Sequence, residues 1–455
     1  MTYKLLLLIG FAGILFACHK SDLLKKKSTT TLLVPTSPAD MQGLLDNDAV
    51  FAPCTFLNFI SADEFYFRDG YSSLSSSELG AYSWSDFNFG PDEDVPDWNN
   101  AYQQVYYCNT VLAGVSRLAN NPGMGTDLNL LRGDALFKRA YAYYNLLQVF
   151  ALPYDSATAS ADDGIVLRDD TDPNAHITRS SVYVSYDSVI ADLTVACKLL
   201  PATVDYAHLN RSRQPAAFAM LARVYLSMGA FDKADSSASH SLALYDSLID
   251  YNQVAQANYP FLVTNPETLY QSRMPSGNHL FDALAGQDAF IDSGLQHAYA
   301  AGDLRPLLFF RPRSGQQVTI NGSYTGTIFP FSGLSTGELY LIRAECAARR
   351  GDTAAAFSFL NTLLRHRWQT GQFTPLTAGS ASEALQVILT ERKKELVFKG
   401  LRWTDIRRLN KKGAGIVLKR NVNGASYVIG PGSLRYALPI PDNVIRLNGI
   451  TQNKR

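Results

Sequence analysis

The chain has 455 residues, with 41 Lys+Arg against 41 Asp+Glu; 46% are hydrophobic and 18% charged. That makeup supports a buried core and excludes wholesale disorder, and zero formal charge lacks the basic surplus with which nucleic-acid binders release counterions. Rings are abundant, at 24 Tyr, 24 Phe and 4 Trp, and suit amphipathic contact surfaces as well as cores.

At the N-terminus Lys4 precedes an uninterrupted apolar run from Leu5 to Ala17. As a helix the run reaches about 20 Å, short of a hydrocarbon core of about 30 Å, and fits the apolar part of a secretory signal over residues 1–17. It ends in Leu15-Phe16-Ala17-Cys18, which resembles the lipobox of bacterial lipoproteins, with Phe16 larger than is usual there. The resemblance implies that Cys18 becomes the acylated N-terminus, and several acyl chains give lasting anchorage. Residues 18–38, with Lys25-Lys26-Lys27 and the run Thr29-Thr30-Thr31, read as a lipidated tether. A single domain is expected over 39–455, interrupted by irregular insertions at about 46–97 and 250–333.

From Trp98 onward helix signals dominate. Residues 98–119 place Val105, Cys108, Val111, Leu112 and Val115 on one stripe, and 128–150 repeat Leu136, Ala140, Tyr143, Tyr144 and Leu147 at three and four. A helix over 182–200 stops at Pro201, and one over 215–228 opens with Pro215 and stops at Gly229. Ala222, Tyr225, Gly229 and Ala234, and again Ala344, Ala347, Gly351 and Ala356, have a spacing that resembles the tetratricopeptide repeat. The fold expected is mainly α: a tetratricopeptide-like scaffold of about four helix pairs, at 98–150, 182–245, 335–368 and 381–411. In the second insertion, 267–273 reads as a strand and 318–324 as a hairpin turning at Asn321-Gly322; a strand pair is expected at 425–438. After the signal four cysteines remain, at 54, 108, 197 and 346, which two disulfides or four buried thiols would both explain.

Residues 391–410, ERKKELVFKGLRWTDIRRLN, are similar to the hallmark segment of the SusD/RagB family of Bacteroidetes outer-membrane lipoproteins, E-R-x-x-E-L-x-F-E-G-x-R-W-x-D-x-R-R. Glu391, Arg392, Glu395, Leu396, Phe398, Gly400, Arg402, Trp403, Asp405, Arg407 and Arg408 match, and Lys399 stands where the family is usually acidic. Family-like stretches also run in order at 98–109, 131–154, 163–170, 179–201, 221–234, 339–352 and 436–453. The spacing of Glu395–Lys399 and Asp405–Arg408 suits ion pairs on one helix face, read as a structural network.

The resemblance implies a non-enzymatic lipoprotein on the outer face of the outer membrane. It would bind an oligosaccharide or peptide and pass it to a SusC-like TonB-dependent transporter barrel. Sugar recognition rests on ring faces with Asp, Asn or Arg fixing hydroxyls. The ring-rich stretch 60–98 offers Tyr71, Tyr82 and Trp84 in loop context, with Trp98 opening a helix. Asp63 matches an acidic position the family often keeps near its ligand. His279, Tyr324 and Phe329 are weaker candidates. Asp92-Glu93-Asp94 with Asp97 lacks the spacing of a calcium loop and reads as a solvated turn before a helix. The histidines form no zinc pattern, and no nucleotide or nucleophile motif is present, so no metal, cofactor or catalytic residue is expected. The competing readings are a surface glycoside hydrolase or peptidase, and a helical-repeat scaffold that binds only protein.

Overall fold

The computed structural model describes residues 35–119, 125–172, 174–286 and 288–455. The apolar segment 1–17, Cys18 and the tether as far as residue 34 lie outside the described residues. Folded structure begins before residue 38, where the tether was expected to end. Ser37 caps α1 (Pro38–Leu45): its Oγ accepts from the Asp40 N–H at 3.2 Å, and the Asp40 carboxylate accepts from the Ser37 N–H at 3.0 Å.

The first insertion is less irregular than its composition suggests. It holds α2 (Asp48–Phe51), α3 (Leu57–Ser61), β1 (Phe65–Phe67) and α4 (Ser76–Ser83). The long helices follow where the apolar periodicity puts them. α5 (Pro96–Leu118) and α6 (Gly125–Phe150) pack as a pair, and a short antiparallel ladder of β2 (Asp163–Val166) with β3 (Arg179–Ser181) leads into α7 (Val182–Leu199). α8 (Gln214–Met228) ends at Gly229, and α9 (Phe231–Leu244) folds back on it. Ala222 and Ala234 are fully buried, so the two backbones approach closely, as small residues at repeat positions require.

The second insertion contains β4 (Thr268–Tyr270), α10 (His279–Gly286), β5 (Ala289–Ile291), α11 (Ser293–Gln296), α12 (Arg305–Phe309), β6 (Phe310–Pro312) and β7 (Val318–Ile320). β8 (Leu334–Ser335) pairs with β4 and leads into α13 (Thr336–Arg349), which packs on α9 and on α14 (Thr353–Arg365). α15 (Ala381–Glu395) lies against α13. After a break, α16 (Arg402–Lys411) turns away from α15 to pack on α3 and α8. The redirection is local: Phe398 and Gly400 both have left-handed backbones, φ 54° and 72°, and a Cβ at Gly400 would meet the Phe59 ring at 2.7 Å. The chain closes with the hairpin β9 (Leu418–Val422) and β10 (Ala425–Ile429) and the helix α17 (Asp442–Asn448).

Two strand expectations are corrected. Asn321-Gly322 is not a hairpin turn: β7 pairs backwards with β6, and the Asn321 amide donates to the Ala257 and Leu308 carbonyls. The strand pair expected at 425–438 is β9–β10, turning at Asn423-Gly424, whose φ of 51° and 80° suit a two-residue hairpin loop.

β1 pairs antiparallel with β5, Phe65 opposite Ile291, so the two insertions share one ladder. One apolar core runs from Cys54 to Ile450, and a smaller one gathers Ala62, Trp84, Trp403, Ile406, Leu418, Ile429 and Tyr436. All four cysteines in the described residues are free and buried, and burial pushes their thiols up, to about 12 for Cys54, Cys197 and Cys346.

Candidate functional site

The segment 391–408 forms a buried charge network. Glu391 accepts from Arg305 and Lys394, each at 2.6 Å, and Glu395 accepts from Arg367 at 3.0 Å and Arg305 at 3.4 Å. Asp405 joins Arg392 at 2.9 Å and Arg408 at 2.8 Å, and Arg408 also forks onto Glu345 at 2.7 and 2.8 Å. Buried charges are tolerable only when paired in this way. The network binds α12, α13, α15 and α16 into one body and occupies both glutamates. Lys399, the departure from the family pattern, is buried 4.1 Å from the centre of the Tyr324 ring and 3.9 Å from Glu395. Burial pushes its ammonium below the ordinary lysine value.

Asp63 belongs to the edge of this network. Arg402 grips it at 2.6 and 3.0 Å and Lys393 at 3.1 Å. Burial alone would raise its carboxyl, but the two cations hold it well below the usual carboxylate range. The neighbouring Glu64 accepts from the Phe398 N–H at 3.1 Å. Burial, with Asp63 beside it, pushes Glu64 up to about 8. Asp63 therefore anchors the start of β1 to α15 and α16.

β1 alternates as a strand must: Phe65 faces in, Tyr66 out, and Phe67 lies half-buried with its N–H on the Tyr82 hydroxyl at 3.2 Å. Tyr71 stacks on Phe67 at 5.0 Å, nearly parallel, and its hydroxyl donates to the His279 carbonyl at 3.2 Å. Tyr82 lies in α4 and Trp84 caps it, so neither sits in the loop expected for them. The Trp84 indole donates to the Ser61 carbonyl at 2.9 Å. Arg420 of β9 lies over both rings, 3.7 Å from the Tyr82 centroid and 4.6 Å from that of Trp84. Its guanidinium donates to the carbonyls of Ile60, Ala62 and Tyr82 and has no carboxylate partner among the described residues, and burial lowers it to about 10.

Above these groups lies a cavity of about 330 Å³ whose lining includes Asp63, Tyr66, Phe67, Tyr82, Trp84 and Asn421. Tyr82 and Trp84 are nearly inaccessible and form its floor, while Tyr66, Asp69, Lys419 and Asn421 are exposed around it. The exposed Tyr66 ring, with Asp69, Lys419 and Asn421 around the mouth, can meet the C–H face of a sugar while fixing its hydroxyls, and the buried rings beneath hold that surface in place. Tyr66 and Phe67 were legible only as rings of the aromatic stretch 60–98, and the residues of the β9–β10 hairpin carried no signal of a site.

Other candidates lie elsewhere. Trp98 is buried against Tyr102 at 4.7 Å and Phe150 at 5.1 Å, and lines a separate cavity of about 280 Å³ with Asn109 and Arg168. His279 meets Glu78 at 2.5 Å, and the buried Tyr324 donates to Glu267 at 2.9 Å. Phe329 stacks on Phe281 at 4.5 Å. The acidic run is not simply a solvated turn: Asp97 is buried and accepts from the N–H groups of Phe56 and Leu57, and burial pushes it up to about 7. Among the described residues no group of three His, Cys, Asp or Glu could hold a metal ion, and no helix is long and apolar enough to cross a membrane.

The sequence matches two family models, one described as starch-binding associating with outer membrane over residues 24–226, the other as the SusD family over 334–454. SusD-like protein P2 of Formosa agariphila is 25% identical over 398 residues, covering 71% of this chain and 74% of that one. A SusD superfamily structure from Bacteroides thetaiotaomicron superposes with a TM-score of 0.76 at 21% identity, over 92% of this chain and 100% of that one. A laminarin binding SusD-like protein gives 0.65 at 16% identity, over 91% of this chain and 98% of that one. The matched segments include residues 391–408, the helices α5 to α7 and α13 to α16, and the closing hairpin, and this chain belongs to the SusD/RagB family.

Proposed function

We propose that this protein is a non-enzymatic, lipid-anchored binding protein of the outer cell surface that captures a glycan and passes it to a TonB-dependent barrel. The observation that carries the reading is the ladder between β1 and β5, which joins the two insertions into one face bearing a ring-floored cavity. The family's description as starch-binding and outer-membrane associated supports it, as does a laminarin-binding relative of the same fold. In this reading Tyr66 and Asn421 contact the sugar, Tyr71 buttresses Phe67 beside them, Tyr82 and Trp84 support the surface from below, and Asp63 fixes the strand that carries the contacts. Trp98, in its separate cavity, acts as core. Glu391 and Glu395 are both held by guanidinium or ammonium groups, which favours binding over hydrolysis.

The test is a glycan array probed with detergent-extracted protein. Tyr66→Ala combined with Asn421→Ala should weaken the strongest hit at least about tenfold, as loss of a ring face and a hydrogen bond predicts, while co-purification of the barrel is unchanged. Hydrolysis of the hit abolished by one carboxylate change would refute the binding reading, and failure of any barrel to co-purify would refute delivery. Replacing Cys18 with Ser should release the protein into soluble fractions.

A further inference from the structure

The arginines of the charge network all meet carboxylates, and Arg420 donates to three carbonyls. Two arginines in the second insertion are matched by neither. Arg311 of β6 reaches only the Asn321 Oδ1, at 3.4 Å, and the Arg313 side chain has no acceptor. Among the described residues neither pairs with a carboxylate.

Arg313 prolongs β6 in extended conformation: its N–H donates to the Gln317 carbonyl at 2.8 Å, one step beyond the ladder pair Pro312–Val318. Alternation therefore sets Arg311 and Arg313 on one side of the ladder, with Thr319 and Gln317 as their cross-strand neighbours. Two like charges so placed repel. Burial and then Arg311 push the Arg313 guanidinium below the ordinary arginine value. Each side chain is half-buried, with one nitrogen buried and unpartnered, Nη2 of Arg311 and Nε of Arg313, and its remaining donors at the surface.

Arg311 is also held in place. It lies 5.6 Å over the Tyr259 ring, and Tyr259 has a left-handed backbone, φ 54°, with its N–H on the Asn321 carbonyl at 3.1 Å. A bulky residue with positive φ is strained, and such strain persists where the position itself matters. A guanidinium laid on a ring keeps its N–H edge free for an anion.

The pair adjoins the proposed ligand face. Gln317, opposite Arg313, donates to the Tyr66 hydroxyl at 3.2 Å, and β7 packs beside β5, the partner of β1. One side chain separates Arg313 from the exposed ring of that face.

We infer that Arg311 and Arg313 form an oxyanion subsite beside Tyr66, for a glycan that carries sulfate ester or carboxylate groups. The oxyanion lies between the two guanidiniums and relieves their repulsion, and the sugar chain that bears it runs towards Tyr66 and Asn421. The inference rests on the ring-floored cavity as a sugar site for the path of the chain, and not for the anion contact.

The lipidated full-length protein in detergent micelles is titrated calorimetrically with maltotetraose, with its sulfated and carboxymethylated derivatives, and with tetraglutamate. At least one derivative should bind at least about tenfold more tightly than maltotetraose, as gain of a charge-assisted contact predicts, and the tighter of the two identifies the oxyanion. Arg311→Gln and Arg313→Gln should each remove that advantage, while Arg365→Gln, at an exposed arginine of α14, leaves it. Equal affinity for the three tetrasaccharides, a comparison that needs only the unaltered protein, overturns the proposal. So do failure of both derivatives to bind, an advantage that survives Arg313→Gln, and one lost equally in Arg365→Gln. Tetraglutamate binding as tightly as the better derivative overturns the sugar assignment. A glycan array without hits, beside an advantage that depends on Arg311 and Arg313, would refute the cavity as a sugar site and leave the anion contact standing; hits on the array without any such advantage would do the reverse.

Discussion

Trp84 closes α4 with a left-handed backbone, φ 52°, its indole pressed under Arg420 and its N–H on the Ser61 carbonyl. It is a core residue beneath the proposed ligand surface. Trp84→Ala should therefore destabilise the protein by about 3–5 kcal/mol, the usual cost of emptying an aromatic core position, and Trp84→Phe by clearly less. Chemical denaturation distinguishes this from a ligand-contact role, in which Trp84→Ala would unfold at the normal denaturant midpoint and lose only binding. A tryptophan in a polar, serine-rich stretch looks available for a ligand. The residue that covers it comes from the far end of the chain, and one sequence holds no sign of that pairing. The same blindness applies to Asp63: its chemistry was legible, but its commitment to Arg402 and Lys393 was not.

Helices were readable because their signal is local: apolar residues at three and four, a proline in the first turn, a glycine after the last. Strands of three residues carry too short a pattern, and the two Asn-Gly dipeptides show the consequence. One turns a hairpin at Asn423-Gly424, while at Asn321-Gly322 the asparagine is taken up by tertiary hydrogen bonds that override its turn preference. The β1–β5 ladder lends itself to a direct test. Proline at Phe290, in the middle of β5, removes a backbone donor from a three-residue pairing. It should expose residues 62–75 to limited proteolysis and reduce glycan binding while the far-ultraviolet helix signal stays within about a tenth of normal, since the long helices lie outside the ladder. Unchanged protection of that stretch would show that the ladder does not hold the insertions together.

Across the whole molecule, equal numbers of acids and bases conceal two opposed groups of carboxyls. Glu64 and Asp97 are pushed up by burial, to about 8 and about 7 from ordinary values of 4.5 and 3.8. The stability they contribute is complete below those ordinary values and is lost as pH rises through the folded ones. Burial opposes but paired arginines outweigh it at Glu345 and Asp405, whose carboxyls are held below the ordinary range. Their contribution is present above the ordinary range and is lost as pH falls through their folded values. The melting temperature should therefore peak at mildly acidic pH and decline towards pH 8, and Glu64→Gln, which keeps the acceptor for Phe398, should flatten the alkaline side. An unchanged slope between pH 5 and pH 8 in that variant, measured by differential scanning calorimetry at each pH, would rule Glu64 out as a source of the decline.

The pairing of β1 with β5 also constrains when the proposed ligand face can exist. Its two strands are separated in the chain by α5 to α9, and long-range closures of this kind are costly in chain entropy and slow to form. A chain stalled before that closure has its helices but no face to offer. Ligand competence would thus double as a certificate of complete folding: a copy that binds is one whose scaffold has already closed.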